Sequence, residues 1–241
     1  PTTWSTAHTA LMRAAVCASR RVMVHAGAGG VGLASIEYAH WVRAEAHATT
    51  SRPHKRAWLR HAGISRACSS RDARVFVLAA GALCGTRLHA ALNSLSHDFV
   101  GGSLVLLGER ACFVELGKRG VWSNERHAAS RGAAAVHAVL ALDDAMSRAP
   151  RWMQRALRLL SRRSSEGVVH GAPLHTFDLE REAAAAFRCL QSGRSVGKVV
   201  VRLPCVDAPR TSGSQLLTGG GGFLGQLTTR WLAGRGVRSL V

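Results

Sequence analysis

Glycine crowding at the end of an apolar strand is the most chemically suggestive pattern in this chain. The run Val22-Met23-Val24-His25 is followed by Ala26-Gly27-Ala28-Gly29-Gly30-Val31-Gly32-Leu33. Glycine in such a turn permits positive φ and lets the backbone approach a phosphate oxygen, while the next helix offers its free N–H groups to the anion. Gly27, Gly29, Gly30, Val31 and Gly32 are therefore candidate pyrophosphate contacts. A second loop, Leu216-Leu217-Thr218-Gly219-Gly220-Gly221-Gly222-Phe223-Leu224-Gly225, lies shortly before Val241. There Gly219, Gly220, Gly222 and Gly225 take the same part.

The residues after the next strand bear on which dinucleotide fits. An NAD site places Asp or Glu there, bonded to the ribose 2′-hydroxyl. This chain has Ala46-His47-Ala48-Thr49-Thr50-Ser51-Arg52-Pro53-His54-Lys55-Arg56, with no acid. Thr49 and Ser51 leave room for a 2′-phosphate, and Arg52, Lys55 and Arg56 can neutralise it. NADPH is favoured over NADH; the competing reading is an exposed basic helix start. Lysine is scarce in an arginine-rich chain, occurring only at Lys55, Lys118 and Lys198. Each marks a place where a compact ammonium could be required.

These residues need a scaffold. Strands are expected near 22–25, 46–49, 67–69, 90–93 and 112–116, and helices at 32–43, 55–62 and 99–107. The alternation predicts an α/β fold: a Rossmann-type doubly wound parallel sheet with helices on both faces. A helix at 183–190 and a closing strand at 198–203 follow. Residues 204–213 read as a linker, and 214–241 as a C-terminal strand-loop-helix stub.

Composition narrows the function. At 241 residues and 47% hydrophobic, the chain can bury a core. No apolar run is long enough for a membrane helix, so no membrane association is expected. Six scattered cysteines without a CxxC pair fit a reducing compartment such as the cytoplasm, and no HExxH is present, so no metal site is expected. The net charge of +18 raises nucleic acid as a partner. However, the densest basic stretch puts Arg151, Arg155, Arg158 and Arg162 on one helical face, opposite Trp152, Leu159 and Leu160. That pattern reads as a solvated helix surface, and nucleic-acid binding is not expected.

Several motifs carry a resemblance. Pro1-Thr2-Thr3-Trp4-Ser5-Thr6-Ala7-His8-Thr9-Ala10-Leu11, the first glycine loop, Ser69-Ser70-Arg71-Asp72, Leu92-Asn93-Ser94-Leu95, Phe113-Val114-Glu115-Leu116-Gly117-Lys118-Arg119 and Gly193-Arg194-Ser195-Val196-Gly197-Lys198-Val199-Val200 span 1–203. Together they resemble zinc-independent medium-chain reductases, and most of all the enoylreductase domains of type I polyketide and fatty acid synthases. The second glycine loop, with Arg230-Trp231-Leu232-Ala233 and Gly236-Val237-Arg238-Ser239-Leu240-Val241, resembles the opening of a ketoreductase, a short-chain dehydrogenase. The implied division is a cofactor domain at 1–203, a linker at 204–213 and a truncated ketoreductase start at 214–241. The substrate lobe of the family would precede Pro1.

The resemblance implies reduction of a trans-2-enoyl thioester carried on an acyl carrier protein. NADPH gives a hydride to the β-carbon, and a proton goes to the α-carbon. Lys118 would be the proton donor, or alternatively would hold a cofactor phosphate or ribose. Asn93 and Ser94 would lie by the nicotinamide ribose, Ser70 and Arg71 along the adenosine, and Lys198 and Gly117 against the cofactor. Neighbouring synthase domains and a homodimer are the implied partners. Gly120 stands where the family commonly has an acid. A second family acid falls on Ala141 or, with a slip in register, on Asp143. The alternatives are a free-standing quinone-oxidoreductase-like enzyme and a degenerate, non-catalytic reductase domain.

Overall fold

The computed structural model describes residues 1–64, 66–84, 87–117, 120–131, 135–203 and 213–241. They fall into two units, one of Pro1–Thr176 with Ala184–Val200 and one of Phe177–Ala183 with Val201–Val241.

In chain order the elements are α1 (Thr2–Arg13), β1 (Arg21–Val24), α2 (Gly30–Trp41), β2 (Glu45–Thr50), α3 (Pro53–His61), β3 (Ala67–Ser69), α4 (Ala73–Cys84), β4 (Leu88–Asn93), α5 (Asp98–Leu106), β5 (Leu107–Glu115), α6 (Asn124–Arg131) and β6 (Ala135–Val139). Then come α7 (Leu142–Arg148), α8 (Pro150–Ser165), β7 (Leu174–Asp178), α9 (Leu179–Ser192), β8 (Lys198–Arg202), β9 (Ser214–Gln215), α10 (Phe223–Gly234) and β10 (Ser239–Leu240).

The first six strands form one sheet in the order β3-β2-β1-β4-β5-β6, every pair parallel. This is the doubly wound order whose ligand crevice opens between the C-terminal ends of β1 and β4, where the winding reverses. The expected Rossmann-type sheet is thus present.

Alternate residues of each strand feed two cores. Val22, Val24, Ala48, Leu92 and Val114 pack with Trp4, Leu11, Ile36 and Leu59 on one face. Met23, Ala91 and Phe113 pack with Phe76, Val100 and Leu104 on the other. Burial on both faces explains why these strands read as unbroken apolar runs.

Some elements depart from expectation. β6 was not foreseen: it is a short, half-exposed strand at the edge of the sheet. α4 escaped too, although ARVFVLAAGALC is apolar throughout apart from Arg74. α5 ends at Leu106 and passes directly into β5. The strand at 198–203 does not close the main sheet: β8 pairs with β7 in a separate two-stranded sheet. α9 is longer than expected and starts at a reciprocal cap. Asp178 accepts from the N–H groups of Glu180 and Arg181, while its own N–H donates to Glu182. The stretch 204–212, most of the expected linker, lies outside the described residues.

Arg151, Arg155, Arg158 and Arg162 are exposed on α8, and Met153 and Ala156 are its buried residues. Cys17, Cys68, Cys112 and Cys189 are free thiols. Among the described residues no helix is long and apolar enough to cross a membrane.

Candidate functional site

The first glycine loop leaves β1 at the reversal point. His25 N–H donates to Leu92 O at 3.0 Å, continuing the β1–β4 ladder by one residue. Ala26 then turns to φ 51°, a left-handed conformation that favours glycine. Gly27 N–H donates to Thr49 O at 2.8 Å and Gly29 N–H to Ala26 O at 2.8 Å, closing the turn. Two glycines are required by contact. A Cβ on Gly27 would lie 2.7 Å from Ala48 Cβ, and one on Gly32 2.5 Å from Ala26 O. A parallel bridge pairs Gly29 with Gly197. Gly29 caps α2 with no side-chain hydrogen bond, leaving the first-turn N–H groups of Val31 and Gly32 without a helix acceptor. That is the arrangement that binds a pyrophosphate. Lys198 lies across this turn: its Cε would be 3.3 Å from a Cβ on Gly30, and Gly197 N–H donates to Ala28 O at 2.9 Å.

A cavity of about 490 Å³ opens over the loop, walled by Val24, His25, Gly29, Val31, Leu92, Ser94, Leu116, Leu140 and Met146. Asp143 also lines it, whereas Ala141 is the N-cap of α7. Of the two candidates for the acidic position, Asp143 is the one at the cleft. A second cavity of equal volume lies between α1, α7 and α8, at His8, Met12, Arg148 and Trp152, away from the strand ends.

Beneath the loops runs a row of buried polar residues: Thr49, His25, Asn93 and Glu115. Thr49 Oγ1 accepts from Ala26 N–H at 3.3 Å and lies 3.0 Å from His25 Nδ1. His25 Nε2 lies 2.7 Å from Ser103 Oγ, which donates to Phe99 O at 2.6 Å. Because the Ser103 hydroxyl proton is committed, Nε2 carries the imidazole hydrogen and Nδ1 accepts from Thr49. One neutral tautomer satisfies every partner, and complete burial pushes the His25 pKa down to about 3. Glu115 accepts from Asn93 Nδ2 and from Gly117 N–H, both at 2.7 Å.

At the end of β2 the cations gather. Lys55 is only 9% exposed, and among the described residues no salt bridge reaches it. Burial lowers its pKa, and Arg52 and Arg71 lower it further. Arg52 also donates to Ser192 O at 3.3 Å, and His54 Nε2 lies 2.9 Å from Arg194 O, which fixes that segment against the start of α3. Ser70 N–H donates to Thr50 O at 3.0 Å, placing Ser70 and Arg71 just beyond β3. Ser51 and Arg56 are half-buried beside Lys55.

The structure therefore assembles the expected loop, Ser94 and Lys198 around the strand ends, with the basic group at the end of β2. The side chains of Thr49 and Asn93 are completely buried and spent on His25, Ala26, Leu95 and Glu115, so they support the loops from below. Gly117 N–H is likewise taken by Glu115. Lys118 lies outside the described residues. His25, Ser103 and Glu115 were missed as site residues. The signal in the sequence was a polar residue at or next to the C-terminal end of each of β1, β2, β4 and β5.

In the C-terminal unit, β9 and β10 are parallel and flank the second loop and α10. Gly219 has φ 74°, Gly222 N–H donates to Gly219 O at 3.0 Å, and Gly222 caps α10. A Cβ on Gly225 would run into Gly219 O. These roles repeat those of Ala26, Gly29 and Gly32, so the two loops share one local design.

Comparison with known proteins assigns the family. Residues 63–201, more than half of the chain, match the family described as zinc-binding dehydrogenase. The chain belongs to the zinc-binding dehydrogenase family. Its likenesses to known proteins run to polyketide synthases and to enoyl reductases. It is 36% identical over 245 residues to polyketide synthase GfsB of Streptomyces halstedii, a match covering all of this chain and 4% of that synthase. Among solved structures, CurK enoyl reductase matches with a TM-score of 0.77 and 32% identity over 85% of this chain and 61% of its own. The mycobacterial protein Rv1454c, solved in complex with NADPH, matches with a TM-score of 0.70 and 25% identity over 83% of this chain and 61% of its own. The chain spans only a small fraction of the synthase it matches. Despite the family's description, among the described residues no group of three His, Cys, Asp or Glu side chains could hold a metal ion.

Proposed function

We propose that this chain is the cofactor-binding part of a polyketide-synthase enoylreductase. It reduces a trans-2-enoyl thioester on an acyl carrier protein, with NADPH as the electron donor. Lys55 carries this reading. An ammonium buried among Arg52 and Arg71, with its pKa already depressed, is stabilised by an anion placed between them. A ribose 2′-phosphate supplies that anion at the end of β2. Gly27 and Gly32 let the turn and the start of α2 pack closely on β1 and β2, which sets the helix N-terminus where a pyrophosphate would lie. Similarity to a reductase solved with NADPH supports the same choice.

The residues then divide the work. The glycine turn and the first-turn N–H groups of Val31 and Gly32 hold the pyrophosphate, and Ser51, Lys55, Arg56 and Arg71 hold the adenosine end. Lys198 covers the loop. Leu92, Leu116, Leu140 and Met146 form an apolar wall that excludes water from the nicotinamide end of the cleft. Bound NADPH supplies the hydride that reaches the β-carbon. We assign the α-carbon proton to Lys118, whose ammonium can release a proton where a guanidinium would not. Asp143 is a second titratable group facing the same cleft. Residues 214–241 are, in this reading, the start of a neighbouring ketoreductase. That domain, the acyl carrier and a second copy of the synthase are the partners.

The test is product analysis of a synthase module containing this domain. The wild-type module is expected to release a saturated α,β-bond with NADPH. Lys118→Met is expected to leave most of the product unsaturated, with NADPH affinity within about twofold, since only transition-state proton transfer is removed. A wild-type module that leaves the double bond intact contradicts the proposal.

A further inference from the structure

The polar row contains a clamp that the cofactor reading does not use. Glu115 is 2% exposed, at the end of β5, and both of its carboxylate oxygens are engaged. Oε1 accepts from Gly117 N–H at 2.7 Å, and Oε2 accepts from Asn93 Nδ2 at 2.7 Å. Asn93 in turn grips the preceding loop from both sides. Its Oδ1 accepts from Leu95 N–H at 3.2 Å, and its Nδ2 also donates to Leu95 O at 2.7 Å. Leu116 N–H donates to Asn93 O at 2.7 Å. Two buried side chains thus bind the loop after β4 to the loop after β5. Those loops carry Ser94 and Leu116, which line the cleft over the glycine turn.

We infer that Glu115 is a positioning residue whose carboxylate sets where the nicotinamide end of the cofactor rests. The inference depends on the cofactor reading above. The chemistry requires an anion. Two N–H donors converge on one side chain, and a carboxylate offers acceptors to both with no hydrogen of its own. Glutamine has the same shape but must turn its NH₂ toward one of the donors, which releases Asn93 or Gly117. None of these bonds reaches β2, α3 or Lys55, so the adenosine end is independent of the clamp.

The experiment measures the affinity of the chain for NADPH and for adenosine 2′,5′-bisphosphate, which lacks the nicotinamide. In Glu115→Gln, NADPH affinity is expected to fall about tenfold or more, with bisphosphate affinity within about twofold of wild type. Equal losses for both ligands would show that Glu115 merely supports folding and would overturn the inference, as would an unchanged NADPH affinity. Wild-type chain that binds neither ligand overturns the cofactor reading itself, and this inference with it.

Discussion

Replacing Gly32 with alanine abolishes NADPH binding, with an expected loss of at least about a hundredfold, and destabilises the fold by roughly 2–4 kcal/mol. The added methyl would sit 2.5 Å from Ala26 O and 2.6 Å from Gly27 Cα. Both are backbone atoms of a turn fixed by the hydrogen bonds of Gly27 and Gly29, so no side chain can move aside. Relief comes only by swinging the start of α2 away from β1, which removes the N–H groups from the pyrophosphate position. Gly29→Ala is the control. Its nearest obstacle is Ala26 O at 3.2 Å and its backbone is extended at φ −86°, so stability is expected to hold within about 1 kcal/mol. Denaturant unfolding and NADPH titration of both variants test this. A Gly32→Ala protein that binds NADPH like wild type contradicts the geometry of the loop.

Acidification is expected to weaken the domain through His25. Its pKa falls from 6.5 in the unfolded chain to about 3 in the folded one, because burial disfavours the imidazolium. Above the unfolded value both states are neutral and the contribution is complete. Between the two values the unfolded chain takes up a proton that the folded one refuses. Stability therefore drops by about 1.4 kcal/mol per pH unit, or about 2 kcal/mol between neutrality and roughly pH 5. His127, lowered to about 4 by burial and then by His137 and Arg126, acts in the same direction. Comparison with His25→Gln isolates the His25 part, since the variant keeps the His127 effect. Its stability is expected to be about 2 kcal/mol less sensitive over that pH interval. Identical pH dependence in the two proteins would mean that His25 is not held neutral by the fold.

The core strands and the first loop were legible because double-faced burial and close backbone approach leave direct marks: apolar runs and glycines. α4 was not recognised, although its sequence ARVFVLAAGALC is apolar throughout apart from Arg74. The strand containing Lys198 was recognised, but its partner β7 is half-exposed and weakly patterned, so the wrong sheet was assigned. Spacing alone could not choose between Ala141 and Asp143 for the family's acidic position; in the structure Asp143 is the one that lines the cleft. The polar row was least legible. Thr49, His25, Asn93 and Glu115 lie on four different strands, and only parallel register brings them to one level. Thr49 and Asn93 carry polar groups that look available in sequence, yet both are consumed by that row.

The central claim is that the loop at 27–32 and the cations around Lys55 form an NADPH site. Titrating the wild-type chain and Lys55→Ala with NADPH and NADH tests it most directly. Wild type is expected to prefer NADPH by about tenfold or more, and Lys55→Ala to lose most of that preference through weaker NADPH binding, with NADH affinity unchanged. Equal binding of the two cofactors by wild type, or an undiminished preference in Lys55→Ala, would contradict it.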